Sequence, residues 1–242
     1  MIPILMYHQI GQPAPKGTPY RGLTVHPNDF KRQMTWLKRF GYRGLSMRDL
    51  MPYLKGEKQG KVVGITFDDG YQNVLHNALP VLNALGFSST NYIVSNHFSG
   101  TNFWDKSKGV PSSPLMSFSE LQQWLAAGHE IGSHTLDHVH LTEVTPEEAQ
   151  QQIVQSKTNL EHQLQTEVSA FCYPYGHKNA EIASWVRQSG YHNATTTARG
   201  LALNTDDAFD LPRVTVARST NILRFLQKCL TQLEHKKRQT SR

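Results

Sequence analysis

Short apolar runs punctuate the chain near Ile2 to Tyr7, Val62 to Phe67, Asn91 to Val94, Glu130 to Ile131, Ala170 to Tyr173, Ala194 to Thr197 and Val214 to Val216. Each has the length of a buried strand, too short for a buried helix. Helical stripes lie between them. Phe30, Met34, Leu37 and Phe40 recur at spacings of four, three and three, Leu75, Leu79, Leu82 and Leu85 nearly do so, and Pro146 to Leu164 is long enough for a covering helix. A further stripe runs through Ile222, Leu223, Leu226, Leu230 and Leu233. These stripes read as core faces.

Alternation of strand and helix through the whole chain predicts a mostly parallel sheet covered by helices. Such a sheet is either an open doubly wound one or a (β/α) barrel. No GxGxxG or GxxxxGK[ST] follows any strand, which removes the dinucleotide and P-loop forms and favours an α/β fold of distorted or incomplete barrel type with parallel strands. The 242 residues suit one barrel-sized domain, residues 1–242, and no linker or repeat divides them. Gly11 to Gly22 and Ser95 to Ser117 are rich in Gly and Pro and read as the rims of a cleft.

Composition changes this picture little. At 38% hydrophobic and 18% charged, the chain is a soluble globular one. The net charge of +6 invites an anionic partner, but Lys236, Lys237, Arg238 and Arg242 supply four of those charges. Residues from about 235 to 242 therefore read as a solvated basic tail, dispensable for chemistry. With no aromatic residues interleaved for base stacking, the tail gives nucleic acid no support, and weak peripheral contact with an anionic membrane is the partner it suits. No run approaches the roughly 18 apolar residues of a membrane span, and Ile2 to Tyr7 is too short for a signal core, so a cytoplasmic location is expected. Cys172 and Cys229 lack CxxC spacing and read as two buried thiols.

Chemistry concentrates at two places. Val62 to Phe67 runs into Asp68-Asp69-Gly70, so two carboxylates stand at the C-terminal end of a strand, where barrel enzymes place their active sites. One Asp could instead cap a helix beginning near Tyr71. Farther on, His134 and His138 are four apart, a metal-ligand spacing that would aim both the same way on one helical turn. His129 and His140 read as ordinary hydrogen-bonded residues. Two imidazoles and one carboxylate leave coordination positions open, as a catalytic zinc site does, and an unligated second carboxylate can then take a proton from attacking water.

Thr66-Phe67-Asp68-Asp69-Gly70 together with His134-Thr135-Leu136-Asp137-His138 resembles the polysaccharide deacetylases, carbohydrate esterase family 4. Phe171-Cys172-Tyr173-Pro174-Tyr175-Gly176 is similar to that family's third motif, and Leu211-Pro212-Arg213-Val214 to the segment that follows it. The resemblance implies hydrolysis of the N-acetyl group of N-acetylglucosamine-type glycans or glycan precursors, free or lipid-linked. It implies Asp68 as base and Asp69, His134 and His138 as ligands of a divalent metal, zinc first and Co2+, Ni2+ or Mn2+ as alternatives. Tyr175, after Pro174, would give its backbone N–H to the oxyanion. Where the family usually has an Arg before Pro-Tyr this chain has Tyr173, and Arg213 is the residue that could supply the missing charge beside Asp68. A same-fold hydrolase of a formamide or imide, and a catalytically silent carbohydrate-binding module, are the competing readings.

Many members carry a Leu-x-His near the C-terminus whose histidine is the general acid, and nothing after Arg213 has that form. Ile2 to Tyr7 is itself an apolar strand and ends at His8. First and last strands are neighbours in a barrel, so His8 is expected to fill the vacant role, as in permuted members of the family with a Met-Tyr-His opening.

Overall fold

The computed structural model describes residues 1–240; Arg242, counted above in the basic tail, lies outside them. Its strands are β1 (Ile4–Tyr7), β2 (Gln9–Ile10), β3 (Thr24–Val25), β4 (Arg43–Leu45), β5 (Val62–Phe67), β6 (Thr90–Ile93), β7 (Glu130–Ser133), β8 (Ala170–Cys172), β9 (Asn193–Arg199) and β10 (Leu211–Thr215). The helices are α1 (Pro27–Arg39), α2 (Met47–Leu54), α3 (Gln72–Asn77), α4 (Leu79–Leu85), α5 (Phe118–Ala126), α6 (Pro146–Leu164), α7 (Ala180–Gln188), α8 (Ile222–Leu230) and α9 (Leu233–Thr240).

Among the described residues a ring of seven parallel strands closes in the order β1-β10-β9-β8-β7-β6-β5 and back to β1. This is the expected (β/α) barrel, with the first strand as its seam: Leu5 pairs with Val214 on one side and with Ile65 on the other. The distortion comes from β4, which the apolar pattern did not show. It pairs with Val62, Val63 and Gly64 at the start of β5, while β5 meets β6 only at Thr66 and Phe67. The wedge is possible because Gly44 has no side chain: a Cβ there would stand 2.4 Å from Ile65 Cδ1 and 2.6 Å from Phe87 Cδ2.

Strand side chains alternate between faces, and two separate apolar clusters follow that period. Leu5, Tyr7, Val63, Ile65, Phe67, Ile131, Phe171 and Val214 face outward into the main core under the helices. Ile4, Val62, Tyr92, Ala170, Cys172 and Leu211 face inward, together with Met47, Leu50, Met51 and Leu54 of α2. α2 therefore plugs the N-terminal mouth of the ring. Its first N–H groups are tied to inward-facing residues, Met47 N–H to Thr90 Oγ1 at 2.8 Å and Arg48 N–H to Glu130 Oε2 at 2.9 Å, which places a carboxylate at a helix N-terminus where the backbone dipole favours it. The same alternation carried past the other strand ends sets positions 8, 68 and 134 over the open, C-terminal mouth, where Arg213 of β10 reaches Asp68.

Several expectations need correction. The stripe through Leu75 to Leu85 is two helices, broken at Ala78–Leu79, where Pro80 stands in the first turn of α4 and cannot donate into α3. Phe40 is not core: it caps α1, 41% exposed, and stacks on Trp36. Leu223 lies 77% exposed on α8, whose buried face is carried by Phe225 and Cys229. Within the described residues the basic end is not a free tail but part of α9. Arg238 makes two 2.8 Å bonds to Asp206, and the neighbouring Glu234 is fully buried against Arg199 and Lys228. Cys172 and Cys229 are free and buried, as read. No described helix is long and apolar enough to cross a membrane.

Candidate active site

The cleft over the open mouth has a volume of about 390 Å³ and is walled by both irregular segments, Gln12, Tyr20 and Arg21 from one and Asp105, Val110 and Pro111 from the other. His8, Asp68, Asp69, His134, His138 and Tyr175 all line it. Among the described residues, five of the seven non-glycine positions with positive φ stand here: Tyr20, Asp69, Thr135, His138 and Tyr175. Backbone in that costly region persists only where the surrounding structure over-determines it.

Asp69 Oδ1 is 3.5 Å from Nε2 of His134 and 3.3 Å from Nε2 of His138, and all three residues are buried. The two histidines do not share a helical turn, contrary to the spacing argument. They sit in an irregular loop after β7, where the left-handed backbone of Thr135 and His138, with His138 N–H donating to Thr135 Oγ1, turns the second ring back toward the first. Neither Asp caps a helix; the N-cap of α3 is Tyr71.

The donor set fits a divalent ion. Asp69 Oδ1 is buried without a well-formed hydrogen bond, aimed between two imidazole nitrogens. His134 Nδ1 lies 2.8 Å from the Cys172 carbonyl, so that nitrogen carries the proton and Nε2 presents its lone pair. Burial works against the Asp69 charge, yet His138, His8 and His134 outweigh it and hold the carboxyl well below the usual range. Burial likewise favours the neutral ring of His138, the form that ligates.

Asp68 points elsewhere. Arg213 donates from Nη1 to Oδ1 at 2.7 Å and from Nη2 to Oδ2 at 2.8 Å, and its other bonds go to Thr66 Oγ1 and the Thr196 carbonyl. Burial alone would raise the Asp68 pKa, but the guanidinium charge and both bonds bring it below the ordinary value, leaving an ionised carboxylate. His8 Nε2 lies 3.9 Å from Oδ2 on the cleft side. Base candidate, cationic backing and proposed acid thus arrive from β5, β10 and β1.

Tyr175, at φ 58°, occupies a one-turn 3₁₀ segment, Pro174–Gly176, and its carbonyl accepts from Thr197 Oγ1. Its ring meets His138 edge-on at 4.7 Å, while Trp104 stacks on the other ring face of the site, 4.8 Å from His138. Sequence reasoning missed Asp105 and Lys108. Asp105 is buried in the cleft wall, and Lys108 bridges it to the Tyr175 hydroxyl at 3.0 and 3.2 Å. Both sit in a segment with no periodicity, so only its irregularity pointed to them.

The sequence model of the polysaccharide deacetylase family matches residues 55–194, more than half of the chain. This protein belongs to that family. The deacetylase is therefore a hydrolase acting on amide bonds, and metal dependence is the rule in its family. It is 25% identical, over 81% of its own length and 69% of the relative's, to a poly-β-1,6-N-acetyl-D-glucosamine N-deacetylase of Staphylococcus epidermidis. Its fold is similar to that of the Streptococcus pyogenes deacetylase PplD, solved in complex with acetate, with a TM-score of 0.81 and 26% identity, covering 94% of this chain and 97% of that one. BC0361, a polysaccharide deacetylase from Bacillus cereus, superposes with a TM-score of 0.78 at 28% identity over 94% of this deacetylase and 68% of its own chain. The matched segment takes in Asp68, Asp69, His134, His138, Pro174 and Tyr175, whereas His8 and Arg213 lie outside it.

Proposed function

We propose that the protein hydrolyses the N-acetyl group of an N-acetylglucosamine-type glycan or glycan precursor, releasing acetate and leaving a free amine. The observation that carries this reading is one buried carboxylate–imidazole–imidazole set beside a second, ionised carboxylate in the same cleft. Relatives named for deacetylating poly-β-1,6-N-acetylglucosamine support the sugar class.

Asp69, His134 and His138 would hold the metal, zinc by the donor set, with a carboxylate oxygen and two imidazole nitrogens. Such an ion supplies Lewis acidity toward water and the amide carbonyl. Asp68 takes the proton of the attacking water, and Arg213 keeps it anionic and fixes both its oxygens. The Tyr175 N–H faces the oxygen on which negative charge grows, a contribution worth about 3 kcal/mol of barrier in comparable sites. His8 returns a proton to the nitrogen as the C–N bond breaks. Asp105 and Lys108 hold the Tyr175 side of the cleft.

Acetate release from N-acetylglucosamine oligomers with added zinc tests the reading. His138→Ala should lose bound metal and turnover together, while Asp68→Asn should keep metal and lose on the order of 10²–10⁴-fold in turnover. A metal-loaded, fully active His138→Ala protein overturns the ligand set. Hydrolysis of a formamide or a cyclic imide, with the acetylated oligomers left intact, would transfer the same machinery to another amide.

A further inference from the structure

Beyond Tyr175, on the rim of the cleft, two turns bring His140, Glu143 and His177 together. Glu143 N–H donates to the His140 carbonyl at 2.8 Å, a tight turn that keeps the two side chains adjacent. His177 leaves the 3₁₀ turn, its N–H bonded to the Pro174 carbonyl. The His140 ring lies flat on the Tyr175 ring, with centroids 3.7 Å apart and planes 4° from parallel. Its orientation is therefore set before any ligand arrives.

The three ligand atoms lie within 4.8 Å of one another, and two of the three separations are close to those of a coordination polyhedron. His140 Nδ1 is 3.3 Å from His177 Nδ1 and 3.7 Å from Glu143 Oε1. Four ligands placed tetrahedrally at the usual 2.0–2.1 Å around zinc are about 3.3–3.4 Å from one another. Two imidazole nitrogens that face each other can hydrogen-bond only when one is protonated and the other is not, and with both lone pairs free they offer a cation two nitrogen ligands beside a carboxylate. An ion between them satisfies all three. Glu143 is 67% exposed, so water reaches the remaining position.

We infer that His140, Glu143 and His177 form a second divalent-cation site of the zinc class, distinct from the Asp69–His134–His138 set. Two nitrogens and one carboxylate oxygen suit Zn2+, Co2+, Ni2+ or Cu2+ better than Mg2+ or Ca2+. The site stands whether or not the reaction proposed above is correct. His140 is thereby more than the ordinary hydrogen-bonded residue that the sequence suggested.

The test is titration of the metal-stripped full chain with zinc alone, by calorimetry and by zinc content after desalting. Wild type should take up two equivalents. His177→Ala and Glu143→Gln should each weaken one of them at least tenfold and leave the other, whereas His138→Ala should leave the rim equivalent in place. Because both rim substitutions fall on exposed side chains, an unchanged melting temperature without zinc confirms that the fold is intact. A single wild-type equivalent that both rim variants retain overturns the proposal, as do two equivalents of unchanged affinity in both rim variants. The two sites are deleted by different residues, so loss of either result leaves the other readable.

Discussion

Arg213 grips Asp68 with both terminal nitrogens at 2.7 and 2.8 Å, although 145 residues separate them and Arg213 itself is fully buried. A lysine in its place keeps the charge but cannot reach both oxygens. Arg213→Lys is expected to cost a few kcal/mol of stability, since breaking one partner of a buried pair typically costs about 3–5. It should also move the acid limb of kcat/KM to higher pH. The sign follows from the arrangement: the guanidinium holds the Asp68 pKa down, so weakening it lets the base protonate sooner as pH falls. Denaturant melts and a pH–rate profile of the variant check both; an unmoved acid limb would take Asp68 out of the base role.

His8→Ala should retain fold and metal but lose turnover on acetylated amino sugars, because the departing amine needs a proton. An ester with a good leaving group needs little donation and should suffer far less. Equal rates of wild type and variant on both substrates would make His8 a structural residue, held 3.9 Å from Asp68 for other reasons.

Gly176 carries φ 77°, and a Cβ there would stand 2.0 Å from Thr197 Oγ1 and 2.8 Å from Thr197 N. Gly176→Ala is therefore expected to push the Tyr175 turn outward. A displacement near 1 Å at a positioning group typically costs about 10²-fold, so turnover should fall by that order while zinc content of the Asp69 set stays constant. Parallel measurement of turnover and bound metal distinguishes this from general unfolding.

His129 is buried at the base of the barrel, between Ser89 Oγ at 2.9 Å and Asn83 Oδ1 at 3.0 Å, and burial pulls its pKa down to about 4. An unfolded chain protonates this ring near pH 6.5, so between there and pH 4 the unfolded state binds the extra proton. Stability should fall as pH drops through that window, by up to about 3 kcal/mol. Unfolding midpoints at pH 7, 5.5 and 4.5 should show a flatter dependence for His129→Gln than for wild type.

The grouping of Asp69, His134 and His138, with Asp68 beside them, was legible because its members lie in local motifs: Asp68 and Asp69 end one strand, and His134 and His138 follow another. What the spacing misread was the backbone, since four-residue separation implied a helix where two left-handed residues bring the rings together. β4 escaped notice because three residues, one of them Gly44, make no apolar run. The inward faces were harder still. Thr66, Glu130, Asn193, Thr195 and Arg213 point into the ring, so strands that read as apolar carry a polar column only the closed barrel reveals. The basic end was taken for a tail because its charges look solvated in one dimension, whereas Asp206, 32 residues earlier, meets Arg238.

The seam of the ring has a consequence for how the protein is born. β1 finds partners only in β5 and β10, and its second partner is the last strand of the ring to be synthesised. A nascent chain can assemble β1 and β5 to β9 while the ribosome still holds β10, but Arg213 reaches Asp68 only when the circle shuts. Such long-range pairing is slow, because loop entropy must be lost before the contacts form. Until that moment Asp68 lacks the guanidinium that holds it anionic, so on the proposed mechanism turnover begins in a single late event, and its onset would time barrel closure.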